Sequence, residues 1–286
     1  MSIRVLSKLV MVVLMMTVVS VCSVANVRAA TSDEYKELVI KAYEKMSGMQ
    51  SYQMTLETTG SMSIFGKTID IVMHGECDTQ VKPLLAKNVM QITVDDGSAK
   101  KEQKITQYIE ETKGQVFIYS NTNGKWERLS MLHYDPLVDY ANYAKAVTNV
   151  VLVEENDEIS VFAVTMDGSY LRESIERILN SSNMKNSKLP EDFFKNIGDI
   201  TYKVAINKKT AIISRTDIDM SDMLAAMGNS IVENEKKLSD ADKTTIREMF
   251  NNTKLVTSMF FSKFNSIDKI TIPNEVRLNS LSAKTM

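Results

Sequence analysis

Residues 51–77 read SYQMTLETTGSMSIFGKTIDIVMHGEC, and this stretch decides the fold. From Tyr52 to Ile64 the apolar side chains stand at even positions, with Gln, Thr, Glu and Ser between them. After a turn at residues 65–67 the apolar positions become odd, from Ile69 to Cys77. Because successive side chains of a β-strand point to opposite faces, the pattern predicts two antiparallel strands that share one apolar face.

The same alternation continues as far as Leu129. Turn sequences interrupt it at 95–98 (DDGS), at 113–114 (KG) and at 123–124 (NG), and the last of these is the strongest hairpin signal in the chain. Strands joined in succession by tight turns form an antiparallel meander, whereas a parallel sheet needs helical crossovers. We therefore predict a meander from Gln50 to Leu129.

Other elements surround this meander. Three-four spacing of apolar residues predicts helices over Thr31–Ser47, from Asp135-Pro136 onward, and over Tyr170–Ser182, Asp222–Lys237 and Ser239–Asn252. Strands are predicted over 159–166, 199–207, 211–220 and 267–276, the last as an edge strand because Pro273 cannot donate to a ladder. Neither an internal repeat nor a Pro/Ser/Gly-rich linker divides the chain, so we predict one domain over residues 30–286.

Residues 1–29 have the anatomy of a secretory signal peptide. Arg4 and Lys8 give a positive start, an apolar centre follows, and Val27-Arg28-Ala29 offers small residues where a signal peptidase cleaves. We therefore expect a secreted or extracytoplasmic protein. The alternatives are an uncleaved membrane anchor and lipidation at Cys22, although Val21 is branched where lipidation favours a small residue. The rest of the chain has no stretch long and apolar enough to span a bilayer.

Composition excludes several classes of protein. The 286 residues are 44% hydrophobic and 24% charged, which is typical of a globular chain with a full core. The formal net charge is −2, without a basic stripe, so no nucleic-acid partner is expected. Cys77 alone lies beyond the leader, so an intramolecular disulfide is excluded there and we expect a small buried hydrophobe.

Motifs for catalysis and metal binding are weak. Residues 60–68 (GSMSIFGKT) approach a phosphate-binding loop but have one residue too many and lead into strand alternation, not a helix. Asp217, Asp219 and Asp222 lack the glycine and glutamate of a calcium loop, so surface and capping roles are expected. Two isolated histidines make a poor zinc set, and no Gly-x-Ser-x-Gly motif occurs. We predict a non-enzymatic protein without a metal or cofactor.

Methionine is the conspicuous residue type, with 19 copies. Several stand on predicted inward faces, where a flexible thioether either fills an ordinary core or lines an adaptable apolar cavity. Composition alone leaves both readings open. On the second reading one wall of the cavity is formed by Met54, Leu56, Met62, Ile64, Ile69, Ile71 and Met73, and a helix carrying Met223, Leu224 and Met227 covers it as a lid.

The order of elements resembles the LolA/LppX-like superfamily of exported lipid and lipoprotein carriers. The resemblance rests on a helix after the leader, the long meander, a strand with Trp126, a helix at Asp135-Pro136 and a last strand Ile270-Thr271-Ile272-Pro273. It implies an α+β fold in which a strongly curved antiparallel sheet, an open half-barrel, carries helices on its concave face. In such carriers the space between sheet and helices holds acyl chains.

The expected function is therefore binding of a hydrophobic ligand, a lipid or acyl chain, between sheet and helices. The alternative is a cell-envelope module for protein–protein interaction or sensing, with a filled core and a protein partner. An apolar patch on the convex face favours that alternative. A third reading, hydrolysis of envelope polymers, requires two carboxylates that face each other in a cleft.

Overall fold

The computed structural model describes residues 33–64, 67–122, 124–132, 140–170, 172–173, 198–234 and 238–282. Within these ranges the helices are α1 (Asp33–Ser47), α2 (Tyr140–Ala146), α3 (Ser221–Asn234), α4 (Asp240–Asn251) and α5 (Asn274–Asn279). The strands are β1 (Ser51–Ile64), β2 (Lys67–Gln80), β3 (Leu85–Asp95), β4 (Lys100–Thr112), β5 (Gln115–Thr122), β6 (Lys125–Leu132), β7 (Val147–Glu155), β8 (Ile159–Met166), β9 (Ile200–Asn207), β10 (Ile212–Asp219), β11 (Lys254–Ser262) and β12 (Leu281–Ser282).

All of these strands join one open, curved sheet in the order β12-β6-β5-β4-β3-β2-β1-β11-β10-β9-β8-β7. Each neighbouring pair is antiparallel except β12, which runs parallel to β6. The predicted meander is confirmed as β1 to β6. Residues 60–64 and 67–68 are paired strand residues of β1 and β2, not parts of a phosphate-binding loop. The predicted α+β class with a curved antiparallel sheet is confirmed.

Strand β11 holds the two halves of the sheet together, and the predicted elements do not include it. It pairs with β1 on one side, where Leu56 lies opposite Met259, and with β10 on the other. β7 is also absent from the predictions, and it forms the edge beyond β8. Because β11 bridges the meander to β10, the late strands extend the first sheet and share its core.

Four helices lie on the concave face. Val39, Ala42, Tyr43 and Met46 of α1 belong to the main core cluster together with Phe162 and Tyr202, and the Tyr43 and Tyr202 hydroxyls hydrogen-bond each other. Helices α3 and α4 pack as a pair against the β1 and β11 side of this cluster. Thr31, Asp135-Pro136 and most of the predicted helix 170–182 lie outside the described residues.

The end of the chain corrects one prediction. Residues 266–273 do not pair as a strand; they lead into α5, and the segment crosses the convex face of the sheet. Ile272 and Val276 are buried there with Tyr119, beside Tyr108 and Trp126. Thr271 is exposed between the buried residues Ile270 and Ile272, so side-chain alternation is present without pairing to a strand. The reason is that an extended chain buries alternate side chains whether or not it joins a sheet.

Arg277 fastens this segment to the sheet. Its Nε and Nη2 atoms donate to both carboxylate oxygens of Glu110 on β4 at 3.1 and 2.7 Å, and Tyr119 donates to the same carboxylate at 2.8 Å. The hydrogen bonds from Arg277 and Tyr119 hold the pKa of Glu110 below its ordinary value of 4.5. A carboxylate with a lowered pKa stabilises the fold above that ordinary value, and the contribution is lost as the pH falls through the folded pKa.

We therefore expect Arg277→Gln to lower the free energy of unfolding by about 1 kcal/mol at pH 7, since a bidentate pair at a half-exposed site is worth roughly that. The difference from wild type should shrink as the pH falls below 4.5 and through the lowered pKa of Glu110. Urea unfolding at several pH values measures both effects. Lys41→Gln breaks a fully exposed ion pair with Glu37 and serves as the control. It should change neither the free energy of unfolding at pH 7 nor the dependence of that free energy on pH. A loss that is independent of pH would contradict the role given to Glu110.

Candidate functional site

The β1–β2 register places the predicted wall residues on one face. Met54 lies opposite Cys77, Thr58 opposite Met73 and Met62 opposite Ile69. Residues directly opposite in an antiparallel pair point to the same side of the sheet. The side is the concave one, because Met54 and Met73 belong to the core cluster beneath the helices. The shared face inferred from alternation is therefore confirmed, whereas ligand contact by these residues remains a prediction.

Burial divides this wall into a packed zone and an open zone. The packed zone lies under α3 and α4, and each of its members is at most 9% exposed within one continuous core cluster: Met54, Leu56, Met73, Met223, Leu224 and Met227. The three side chains from α3 are thus part of the hydrophobic core in this structure. A ligand that reached them would have to displace the helix.

The open zone extends from the tips of the hairpins to the middle of β3. Six apolar side chains there are half-buried on the concave face, and we call them the apolar shelf: Met62, Ile69, Ile71, Met90, Val94 and Ile105. Ile92, on the same face between Met90 and Val94, is 7% exposed and belongs to the core cluster. Ile71 lies opposite Val94, and Met90 lies opposite Ile105, so the shelf runs across four strands. The side chain of Ile64, the remaining predicted wall residue, lies outside the described part of the structure.

Gly75 shapes the floor between the packed zone and the shelf. It lies opposite Leu56 on β1 and Met90 on β3. A Cβ atom built on Gly75 would stand 3.2 Å from Cγ of Met90, so the methionine side chain lies over the glycine backbone. A missing side chain beneath a flexible thioether makes this part of the wall adaptable, because methionine can change rotamer at little cost.

Three shelf residues are absent from the predicted wall, namely Met90, Val94 and Ile105. Met90 and Val94 follow the same alternation on β3, and Ile105 follows it on β4. Assigning Met90 and Val94 to the wall requires the register of β2 and β3 across the turn at residues 81–84. Assigning Ile105 requires in addition the register of β3 and β4 across the turn at Asp95–Ser98. That turn is held by Asp96, whose carboxylate accepts hydrogen bonds from Ser98 and Ala99, which lowers its pKa to about 2.

Polar residues on the concave face occur mainly as pairs. Thr58 and Thr257 are buried and hydrogen-bonded to each other at 2.9 Å between β1 and β11. Gln107 Nε2 donates to Ser120 Oγ at 3.3 Å between β4 and β5. Asn88 on β3 differs, because it is 8% exposed and its Oδ1 atom has no hydrogen-bond partner among the residues that the structure describes.

The titratable groups do not assemble into a reactive site within the described ranges. Burial raises the pKa of the Cys77 thiol to about 11, and its sulfur lies 3.2 Å from Thr79 Oγ1, which fits the expected structural role. Asp217 pairs with Arg215 and accepts from Ser258, while Asp219 accepts from Ser221 at the start of α3. No group of three His, Cys, Asp or Glu side chains in the described ranges could hold a metal ion.

One family profile matches most of the chain. The profile of a family of unknown function, DUF6612, matches residues 34–280. The chain belongs to the DUF6612 family. A search of curated protein sequences returns no significant match.

A search of solved structures returns weak matches to this DUF6612 member, and two of them are as follows. LprF from Mycobacterium bovis has 12% sequence identity and a TM-score of 0.43, over 86% of this chain and 99% of LprF. A DUF1329 family protein from Desulfovibrio piger has 10% identity and a TM-score of 0.24, over 85% of this chain and 96% of that protein. In the described ranges, no helix has the length and apolarity to cross a membrane.

Proposed function

We propose that this protein is an exported, non-enzymatic binder of a hydrophobic ligand, a lipid or acyl chain, which lies on the apolar shelf. The observation that supports the proposal is the run of half-buried apolar side chains on the concave face, continuous with the core. Apolar surface that is connected, concave and incompletely covered is the usual character of a site for an apolar ligand. The leader over residues 1–29 supports export.

The energetics suit an acyl chain. Each methylene removed from water contributes about 0.8 kcal/mol, so six buried methylenes contribute roughly 5 kcal/mol before the cost of immobilising the ligand. Met62 and Met90 allow the shelf to adapt to chains of different shape, because their side chains repack easily. Polar contacts are therefore not required for affinity, although they would determine specificity.

This proposal moves the ligand away from the centre of the predicted wall. Met62, Ile69 and Ile71 keep their proposed role as lining residues, because they lie on the shelf. The packed zone, which includes Met223, Leu224 and Met227, is the hydrophobic core that adjoins the shelf. Binding there as well would require α3 to move as a lid.

Ile71→Glu tests the proposal, with Val72→Glu as its matched control. The two residues are adjacent on β2 and point to opposite faces: Ile71 lies on the shelf, and Val72 is 50% exposed on the convex side. A carboxylate on the shelf would have to be desolvated by an apolar ligand. We expect Ile71→Glu to weaken binding of the apolar fluorescent probe N-phenyl-1-naphthylamine at least about tenfold, and Val72→Glu to leave it unchanged.

Native mass spectrometry of the gently purified protein gives a second readout, since wild type and Val72→Glu should retain co-purified lipid and Ile71→Glu should lose it. Circular dichroism checks that both variants are folded. Equal probe binding by the two variants, or a wild-type protein that neither retains lipid nor binds the probe, would reject the shelf as a ligand site.

The convex face supports a second candidate, interaction with an envelope protein. Val72 and Val256 are 50% and 41% exposed and flank Thr59 in one row across β2, β1 and β11. Phe260, on the same side of β11, is 36% exposed. The same pair of variants separates the candidates: a protein interaction through this face would be lost in Val72→Glu and kept in Ile71→Glu.

A further inference from the structure

Asn88 is a polar residue set into the apolar concave wall. Its same-face neighbours on β3 are Ala86, which is fully buried, and Met90 of the shelf. In the sheet register it lies between Cys77 on β2 and Gln107 on β4. Its side chain is therefore near the middle of the wall, adjoining the shelf.

The amide oxygen of Asn88 is buried and unpaired within the described part of the chain. Its Oδ1 atom accepts no hydrogen bond from any described residue, and the residue is only 8% exposed. The backbone of Asn88 takes part in the β2–β3–β4 ladder, so the side chain is not needed to complete the sheet. Buried polar atoms in folded proteins are nearly always hydrogen-bonded, and an unpaired one indicates a donor that is supplied from elsewhere.

The residues beside Asn88 are polar but uncharged. Gln107 lies opposite Asn88, and Ser120 lies opposite Gln107, so the three form a short row across β3, β4 and β5. The next position in the row, on β6, is Glu127. An anionic head group over this row would meet amides, a hydroxyl and a carboxylate, with no cation in the row to offset its desolvation.

From this arrangement we infer that the ligand is a neutral lipid bearing a hydroxyl group, which donates a hydrogen bond to Asn88 Oδ1 while the apolar chain lies on the shelf. The inference rests on the proposed function and specifies its head group. A rotamer change of Met90 gives the hydroxyl group access to Asn88. Met90 is half-buried two residues along β3, and a thioether side chain changes rotamer readily. A free fatty acid ionised at neutral pH carries no donor and is the wrong class.

Matched probes test the inference. Oleyl alcohol and oleyl methyl ether have the same chain and differ in the hydroxyl donor, and each is titrated against bound N-phenyl-1-naphthylamine in the purified full-length protein. We expect the alcohol to bind about tenfold more tightly than the ether, because pairing a buried acceptor is worth about that factor. Oleate should bind more weakly than the alcohol.

Asn88→Leu assigns the preference to the residue. Leucine has a similar size and no acceptor, so the alcohol-to-ether ratio should fall to about one while the ether binds as it does to wild type. Without ligand, Asn88→Leu should unfold at an equal or higher urea concentration, because it removes an unpaired buried amide. Gln91→Leu, on the exposed side of the same strand, is the control and should keep the wild-type ratio.

The outcomes separate the two proposals. If no probe displaces the dye from wild type, shelf binding itself is overturned. If alcohol and ether bind equally to wild type, or oleate binds more tightly than the alcohol, the neutral hydroxyl head group is overturned while shelf binding stands. If the preference for the alcohol survives in Asn88→Leu, another group accepts the hydrogen bond and the assignment to Asn88 is overturned.

Discussion

Replacing Phe162 with alanine is expected to lower the free energy of unfolding by about 3–5 kcal/mol, the usual effect of deleting a fully buried aromatic ring. Phe162 is 1% exposed on the concave face of β8, in the main core cluster. Its ring packs against Tyr35 of α1, with centroids 5.6 Å apart at an interplanar angle of 51°. The substitution would leave a cavity between α1 and the sheet. Val164 and Val204 belong to the same core cluster as Phe162.

Phe260→Ala is the matched control, because it removes the same ring from a site that is 36% exposed on the convex face of β11. We expect it to change the free energy of unfolding by less than about 1 kcal/mol. Urea unfolding followed by far-ultraviolet circular dichroism compares the two. Similar losses in both variants would mean that Phe162 does not fix α1 to the sheet as its burial indicates.

Gly228→Ala is expected to destabilise the α3–α4 pair by about 2 kcal/mol, although alanine is ordinarily the better helix former. A Cβ atom on Gly228 would overlap Cβ of Phe250 on α4 and stand 2.6 Å from its Cγ. Cβ of Phe250 is attached directly to the α4 backbone, so a rotamer change cannot relieve the overlap. The helices would have to separate, which disturbs the packed zone of the wall.

Gly48→Ala is the control of the same chemical type. A Cβ atom there would meet only the carbonyl oxygen of Lys45, at 3.5 Å, which is an ordinary contact. Hydrogen exchange measures the local effect: Gly228→Ala should lose protection in α3 and α4 first, whereas Gly48→Ala should match wild type. Unchanged exchange in α3 and α4 would show that the two helices do not pack closely at Gly228 and Phe250.

Strand β11 is the central element that the sequence pattern does not predict. Leu255, Thr257, Met259 and Phe261 face the core, as an alternating strand requires. The opposite face mixes Val256 and Phe260, which are apolar although exposed, with polar residues, and Thr257 is a polar residue on the core face, so the contrast between the two faces is weak. Alternation is recognised by the contrast between the two faces of a strand. Because that contrast is weak in β11, the strand that joins the two halves of the sheet is not predicted.

The C-terminal segment shows the opposite error. Ile270, Thr271 and Ile272 alternate as a strand would, yet the chain lies across the convex face and is held by side chains. Arg277 and Glu110 are 167 positions apart in the chain, and no local pattern relates them. Alternation indicates that a segment is extended and covered on one side. It does not indicate whether the backbone of that segment makes hydrogen bonds to a neighbouring strand.

Local chemistry in the sequence was sufficient for the meander, its turns, the shared face of β1 and β2, and the stripes of α1, α3 and α4, because each depends on residues that are close together in the chain. The tertiary structure alone decided which parts of that shared face are filled and which are open, since burial depends on helices and strands far apart in sequence. It thereby placed Met54 and Met73 in a solid core, left Ile71 and Ile105 half-covered, and buried Asn88 without a partner.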